Sequence, residues 1–224
     1  MPTRTVSPQA KPYRIVLPDS GDWSLHDLYL FPHAYEQCYA FVYCLDTALP
    51  ARDEERVDLA FQNYPWKGGY SYVNFYSVLL TRIPAKARPR VKSFHKASPG
   101  WIDLALNLDA AIQLAKSVAV IAGSGTAAIA AYSKAWKLLA NLRAEREKAR
   151  LREVQLTREQ IRALRGSCDE LAKAMGFKSL TDLHRRTGDP EVSLKLLNAH
   201  YRRMRTLLEY QAKSKAVLPP ENDG

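Results

Sequence analysis

The sequence predicts an α+β fold, a small N-terminal strand–helix–hairpin domain followed by a long helix and a helical C-terminal region. Three observations carry this. Short apolar runs between prolines and glycines fill the first hundred residues. A long, mostly apolar, Ala-rich stretch follows Ser98-Pro99-Gly100-Trp101. After it the sequence turns charged with helical spacing. The 224 residues suffice for one or two domains, and 46% apolar with 25% charged content is ordinary for a soluble globular chain.

Residues 1–12 hold prolines and no apolar run, so they predict a flexible tail rather than a signal peptide. Tyr13 to Leu17, between Pro12 and Pro18, predicts a strand, and Asp19 to Asp22 a turn. Phe31, Tyr35, Cys38, Val42, Leu45 and Leu49 are spaced four and three apart, which is a helix stripe. Pro32 fits its first turn and Pro50 ends it. Tyr39, Phe41 and Tyr43 widen the apolar surface, so this helix is expected to be buried on more than one side. Asp53 to Asn63 predicts a short acidic helix or turn, and Tyr64 to Gly69 a loop. Tyr70 to Ile83 is apolar on alternate and intervening positions, the pattern of an interior strand. Arg90 to Ala97 predicts a second strand, and together they predict an antiparallel hairpin within an α+β domain spanning 13–100.

Residue Ser98 is pushed toward extended backbone by Pro99, so the chain is expected to turn there and enter a helix near Trp101. A long apolar-then-charged helix is expected over 101–165. Ser117 to Ser133 is uncharged for 17 residues, short of the roughly 20 a membrane span needs. A buried or self-packing helix is therefore favoured. Ala119, Gly123 and Ala127 lie four apart and predict a face for close helix approach. Gly123-Ser124-Gly125 weakens that helix and is the place for a break into two. Ile112, Val118, Ile121 and Ile129 present more apolar surface than a small domain is expected to cover. Arg143 to Arg152 alternates in sign, as solvated helices do, and Gly166-Ser167 is expected to end it. Short helices follow over 166–215: Cys168 to Met175, one begun by the Ser179/Asp182 capping box, and one capped by Asp189 with Pro190 in its first turn. Leu194, Leu197, Tyr201, Met204 and Leu208 form a heptad stripe on the last. The end of the chain, from about 213, is expected to be flexible.

The net charge is +10, unevenly spread. Ile15 to Trp66 holds nine acidic and two basic residues, whereas Lys67 to Gly100 holds seven basic and no acidic ones. The two segments could neutralise each other across one fold, or the basic one could serve a partner. Arg82, Lys86, Arg88, Arg90, Lys92 and Lys96 crowd fifteen residues beside Phe94 and His95, a composition suited to phosphate contacts and base stacking. Arg202 and Arg205, one turn apart, form a second candidate for an anion, in a patch with Arg185, Arg186 and Arg203.

Motifs of known chemistry are scarce. There is no glycine-rich phosphate loop with its lysine, no HExxH, no GxSxG and no kinase set. The histidines His26, His33, His95, His184 and His200 lack metal-pair spacing. Cys38, Cys44 and Cys168 form no CxxC, which fits a reducing cytoplasm, and Cys168 is the one candidate reactive thiol. The sequence therefore implies no cofactor, metal or catalytic residue. It points to a non-enzymatic interaction or assembly protein. Self-association, or a protein partner, would use Ala119, Gly123, Ala127, Leu197, Tyr201, Met204 and Leu208. Basic surfaces at Arg82, Arg88, Arg90, Lys92, Phe94, Lys96, Arg202 and Arg205 would meet an anion. The alternatives are nucleic-acid binding through residues 82–96, and a membrane-acting effector inserting residues 102–140.

Overall fold

The computed structural model describes residues 12–18, 23–46, 49–63, 72–148, 155–177 and 180–221. The order is β1 (Tyr13–Leu17), α1 (Leu25–Asp46), α2 (Ala51–Asn63), α3 (Tyr72–Arg82), β2 (Arg90–His95), β3 (Gly100–Ala105), α4 (Leu108–Gly123), α5 (Thr126–Lys148), α6 (Arg158–Ala174), α7 (Thr181–Thr187) and α8 (Pro190–Ala212). The chain is α+β and mostly helical, with a small antiparallel sheet of order β1-β3-β2.

The helix stripe of the first segment is real but longer than expected. It starts at Leu25, seven residues before Pro32. Phe31, Tyr35, Cys38, Val42 and Leu45 are buried, and so are Tyr39, Phe41 and Tyr43. Helix α1 packs on α3, α4 and α8, and its residues line a cleft together with residues of the sheet. The interior strand expected over 70–83 is instead helix α3. Phe75, Tyr76 and Leu79 are buried on it, and Ile83 is buried just past its end. Their spacing of one, three and four is helical, and the aromatic and β-branched composition concealed it.

The hairpin exists one segment later than expected. Its arms are β2 and β3, joined by a turn in which the Ser98–Pro99 peptide is cis. Trp101 therefore sits in a strand, and the helix waits until Leu108. The alternation decides this, since Ile102 and Leu104 face the core while Trp101 and Asp103 face outward. Asn107 caps α4 by accepting from the Ala110 amide at 2.9 Å. Tyr39 ties this junction to α1. Its hydroxyl accepts from the Asn107 amide at 2.9 Å and donates to the Ala87 carbonyl at 2.6 Å.

The long helix expected over 101–165 is divided. Between α4 and α5 the axis bends by 97° at Ser124-Gly125, with Gly125 at φ +53°. Among the described residues no single helix is long and apolar enough to cross a membrane, and α4 with α5 passes that test jointly, across the bend. Arg150 and Arg152 lie outside the described residues. Helix α6 runs through Gly166-Ser167, the expected stop, because Leu164, Cys168 and Leu171 keep one buried stripe across it. Its start is a capping box of Thr157 and Gln160, which the sequence reading passed over. Ser179 lies outside the described residues, and Leu180, at the cap position of α7, makes no side-chain cap among the described ones. Asp189 does cap α8, accepting from the Glu191 and Val192 amides with Pro190 in the first turn.

Helix α8 is the central element, packed on α1, α4, α5, α6 and α7. The chain after it is ordered by contact with the sheet, contrary to the flexible end expected. Val217 pairs with Val16 at 3.1 and 2.8 Å, Tyr13 donates to the Pro219 carbonyl, and Ala216 and Leu218 are buried. This segment covers the outer edge of β1. Among the described residues nothing pairs with the outer edge of β2.

Candidate binding surface on the open strand

Strand β2 is exposed at all six residues, which singles it out in a sheet whose other strands are largely covered. A register shift at Lys92 explains how its side chains divide. Val91 pairs with Leu104 and Phe94 with Ile102, so both lie on the core side although three residues apart. Arg90, Ser93 and His95 pair with Ala105, Asp103 and Trp101 on the outer side. Val91 is 66% and Phe94 46% exposed, although both lie on the core side.

The outer side is a network already closed on itself. Arg14 grips Asp103 with two nitrogens at 2.8 and 3.2 Å, and Ser93 donates to the same carboxylate at 2.7 Å. The Arg14 hydrogen bond holds the Asp103 carboxyl below the usual range. Trp101 has the Arg14 guanidinium 4.7 Å from its ring and the His95 ring stacked at 4.1 Å.

Under the core side of β2 lies a cleft enclosing about 400 Å³, solvent at its mouth included. Ile15, Val91, Ile102 and Leu104 form its roof and Phe31, Pro32, Tyr35 and Glu36 of α1 its floor, with Pro89 at the end. Two polar groups line it. The Tyr35 hydroxyl is buried without a hydrogen-bond partner among the described residues. Burial raises the Glu36 carboxyl above its usual range, His33 opposing that weakly.

Among the described residues the acidic and basic segments of the first hundred residues form no ion pair with each other, so the first of the two alternatives finds no support there. Two acids of α2, Glu54 and Asp58, turn to α7. Asp58 accepts from Arg186 at 2.6 Å and from Arg185 at 3.0 Å, and Glu54 from Arg185 at 2.7 Å. Asp27 takes Lys215 at 3.0 Å. Glu191 takes Arg146 and Lys195. Arg82, Lys86, Arg88, Arg90, Lys92 and Lys96 form no ion pair among the described residues. Arg88 is spent on structure, donating to the Ile83 and Thr81 carbonyls at the end of α3. Arg82 is half-buried with an unpartnered Nε. Arg90, Lys92 and Lys96 remain in solvent with Phe94 beside them.

Compared with known protein families, curated proteins and solved structures, the chain matches none.

The other expected site residues scatter. Arg202 is exposed, while Arg205 lies 3.6 Å from Glu209. Arg203 is drawn inward, stacked over Tyr76 at 3.8 Å and donating to Gln37. Ala119 and Gly123 are exposed on α4, and Ala127 falls beyond the bend on α5, so the three share no helix face. Leu197, Tyr201 and Met204 are enclosed by this same chain and Leu208 is half-buried; α8 spends its heptad stripe on the core. Val118 and Ile121 are enclosed and Ile112 partly so, but Ile129 is 56% exposed. Trp136, two turns further along the same side of α5, is 57% exposed.

Among the described residues no three His, Cys, Asp or Glu side chains gather as a metal site. Cys168, read as the candidate reactive thiol, is buried and pushed up to about 12, as is Cys44. His200 is fully buried against Phe41 at 4.3 Å, with neither ring nitrogen partnered among the described residues. The sequence reading missed Val91, Tyr35 and Glu36, because it paired the wrong segments and so could not see which helix lies under β2.

Proposed function

We propose that this is a non-enzymatic interaction protein that holds an acidic, extended segment of a protein partner along β2. The observation that carries the reading is an open strand edge bearing Arg90 and Lys92, with Lys96 just beyond, none matched by an acid among the described residues. An open edge offers main-chain donors and acceptors to an incoming strand, and basic side chains select its charge. A nucleic acid would use the same cations, but the one sheet-face tryptophan is covered by His95 and Arg14, and Phe94 points to the opposite face. That arrangement favours a peptide over stacked bases.

The test is fluorescence anisotropy with a labelled acidic peptide and a labelled single-stranded oligonucleotide. The expected result is salt-sensitive peptide binding, lost when Arg90, Lys92 and Lys96 are all changed to Glu in a chain whose circular dichroism is unaltered. Unchanged affinity in that triple variant refutes the reading. Oligonucleotide binding without peptide binding replaces it with the nucleic-acid alternative.

A second reading, self-association through α5, is supported by Ile129 and Trp136, two large apolar side chains exposed on one helix side. Sedimentation would then show a species larger than the monomer that Trp136→Glu abolishes. A monomer at high concentration sinks it.

A further inference from the structure

The cleft and the open strand lie together, and their chemistry constrains what can join β2. We infer that β2 selects a segment whose residues alternate apolar and acidic, the apolar row turned toward the α1 cleft and the acidic row toward Arg90. This rests on the proposed reading of β2 as the acceptor of an acidic strand. An added strand would run about 4.8 Å from β2, and its side chains would alternate between the two faces. Its inner row would lie beside Val91 and Phe94, whose exposed apolar surface gains from cover. It would also reach the cleft, lined by Val91, Pro89, Pro32 and Glu36 on the way to Ile102 and Leu104.

Glu36 supplies the discrimination. It is half-buried at an apolar wall and has neither hydrogen bond nor ion pair among the described residues. An acidic side chain in the inner row would be desolvated beside a second carboxyl, and repelled. An aliphatic one meets no such opposition. In the outer row the order reverses, for Arg90 stands there without an acid among the described residues. A second copy of this chain fits badly at the same edge, since β2 against β2 would set Arg90 and Lys92 among like charges.

The experiment compares two labelled octapeptides of one composition with the full chain. One alternates, Val-Glu-Leu-Asp-Val-Glu-Leu-Asp, and the other is blocked, Val-Leu-Val-Leu-Glu-Asp-Glu-Asp. The alternating peptide is expected to bind at least tenfold more tightly. Val91→Asp, at a position already exposed, should remove that preference, so that the two peptides bind this variant with affinities within twofold of each other. Equal binding of the two peptides by the unaltered chain overturns the inference and leaves the strand reading standing. Binding of neither overturns both. A preference that survives Val91→Asp undiminished also overturns the inference, because the selection would then lie away from the cleft.

Discussion

Replacing Asp58 with Ala tests the charge bookkeeping on which the reading of β2 rests. Arg186 is 4% exposed, and its Nη1 lies 2.6 Å from Asp58, itself 22% exposed. Its Nε has no partner among the described residues, so Asp58 is its principal compensation. Removing one member of a buried pair strands the other charge and typically costs about 3–5 kcal/mol. Glu54 lies 3.8 Å from the same guanidinium and can take up part of the role, which brings the expectation down to about 2–3 kcal/mol. For a chain of this size that is a fall in Tm of roughly 5–10 °C. Urea denaturation followed by circular dichroism measures it, with exposed Glu55→Ala as a control expected to stay within about 0.5 kcal/mol. A double-mutant cycle with Arg186→Met completes the test, since the double variant should lose clearly less than the sum of the two single losses. A loss below about 1 kcal/mol with no coupling would refute the reasoning. The acids of α2 would then be free to answer positive charge elsewhere, and the surplus at β2 would lose its meaning.

Three further outcomes are expected. Gly176 sits at φ +76°, and a Cβ there would lie 3.3 Å from a Val120 methyl. Gly176→Ala should therefore cost about 1–2 kcal/mol by equilibrium denaturation, and a neutral result would contradict the turn geometry. Burial, and then Arg203, holds His200 down to about 3, whereas an unfolded histidine titrates near 6.5. Between those values the unfolded chain takes up a proton that the folded one refuses. Stability is thus complete above about pH 6.5 and falls by up to about 1.4 kcal/mol per unit as the pH drops toward 3. His200→Phe, which keeps a ring on Phe41, should flatten denaturation free energies measured from pH 7 to 4, and an unaltered slope would count against it. Asp27 accepts from the Ser24 amide and hydroxyl, the Lys215 ammonium and the Tyr210 hydroxyl. The Ser24 contacts, ahead of the others, hold its carboxyl well below the usual range. Its contribution is present above about pH 4 and lost as the pH falls further. Asp27→Asn should cost about 2 kcal/mol at pH 7 and progressively less below pH 4, and an equal loss at both would be the wrong result.

The elements whose signal was periodic were legible: α1 from its spacing of four and three, α8 from its cap and proline, β1 from its bracketing prolines. Those misread failed for identifiable reasons. Tyr72, Val73, Phe75, Tyr76 and Val78 have high strand propensity, yet the segment folds as a helix because α1 offers it a groove for Phe75, Tyr76 and Leu79. Five residues around Ile102 were absorbed into the long helix after them, since Ala and Leu suit either state and the cue was only Ile102/Leu104 alternation. The heptad stripe of α8 looked like a surface because its partners, α1, α5 and α6, are brought to it from distant parts of the chain.

Charge shows the deeper limit of one-dimensional reading. The −7 stretch and the +7 stretch are adjacent in sequence, and proximity suggested that they neutralise each other. Folding pairs α2 with α7 across more than 120 residues instead, through Arg185 and Arg186. In the sequence those two arginines group with Arg202, Arg203 and Arg205 as a patch suited to an anion. With Arg185 and Arg186 engaged by Asp58 and Glu54, those two acids are not available to β2. Arg90, Lys92 and Lys96 stand unmatched at the one sheet edge left open among the described residues. A basic run is ordinarily a solvated face. What sets this one apart is its place on an unpaired main chain beside exposed Val91 and Phe94, where backbone, charge and apolar surface can all be satisfied by one extended segment.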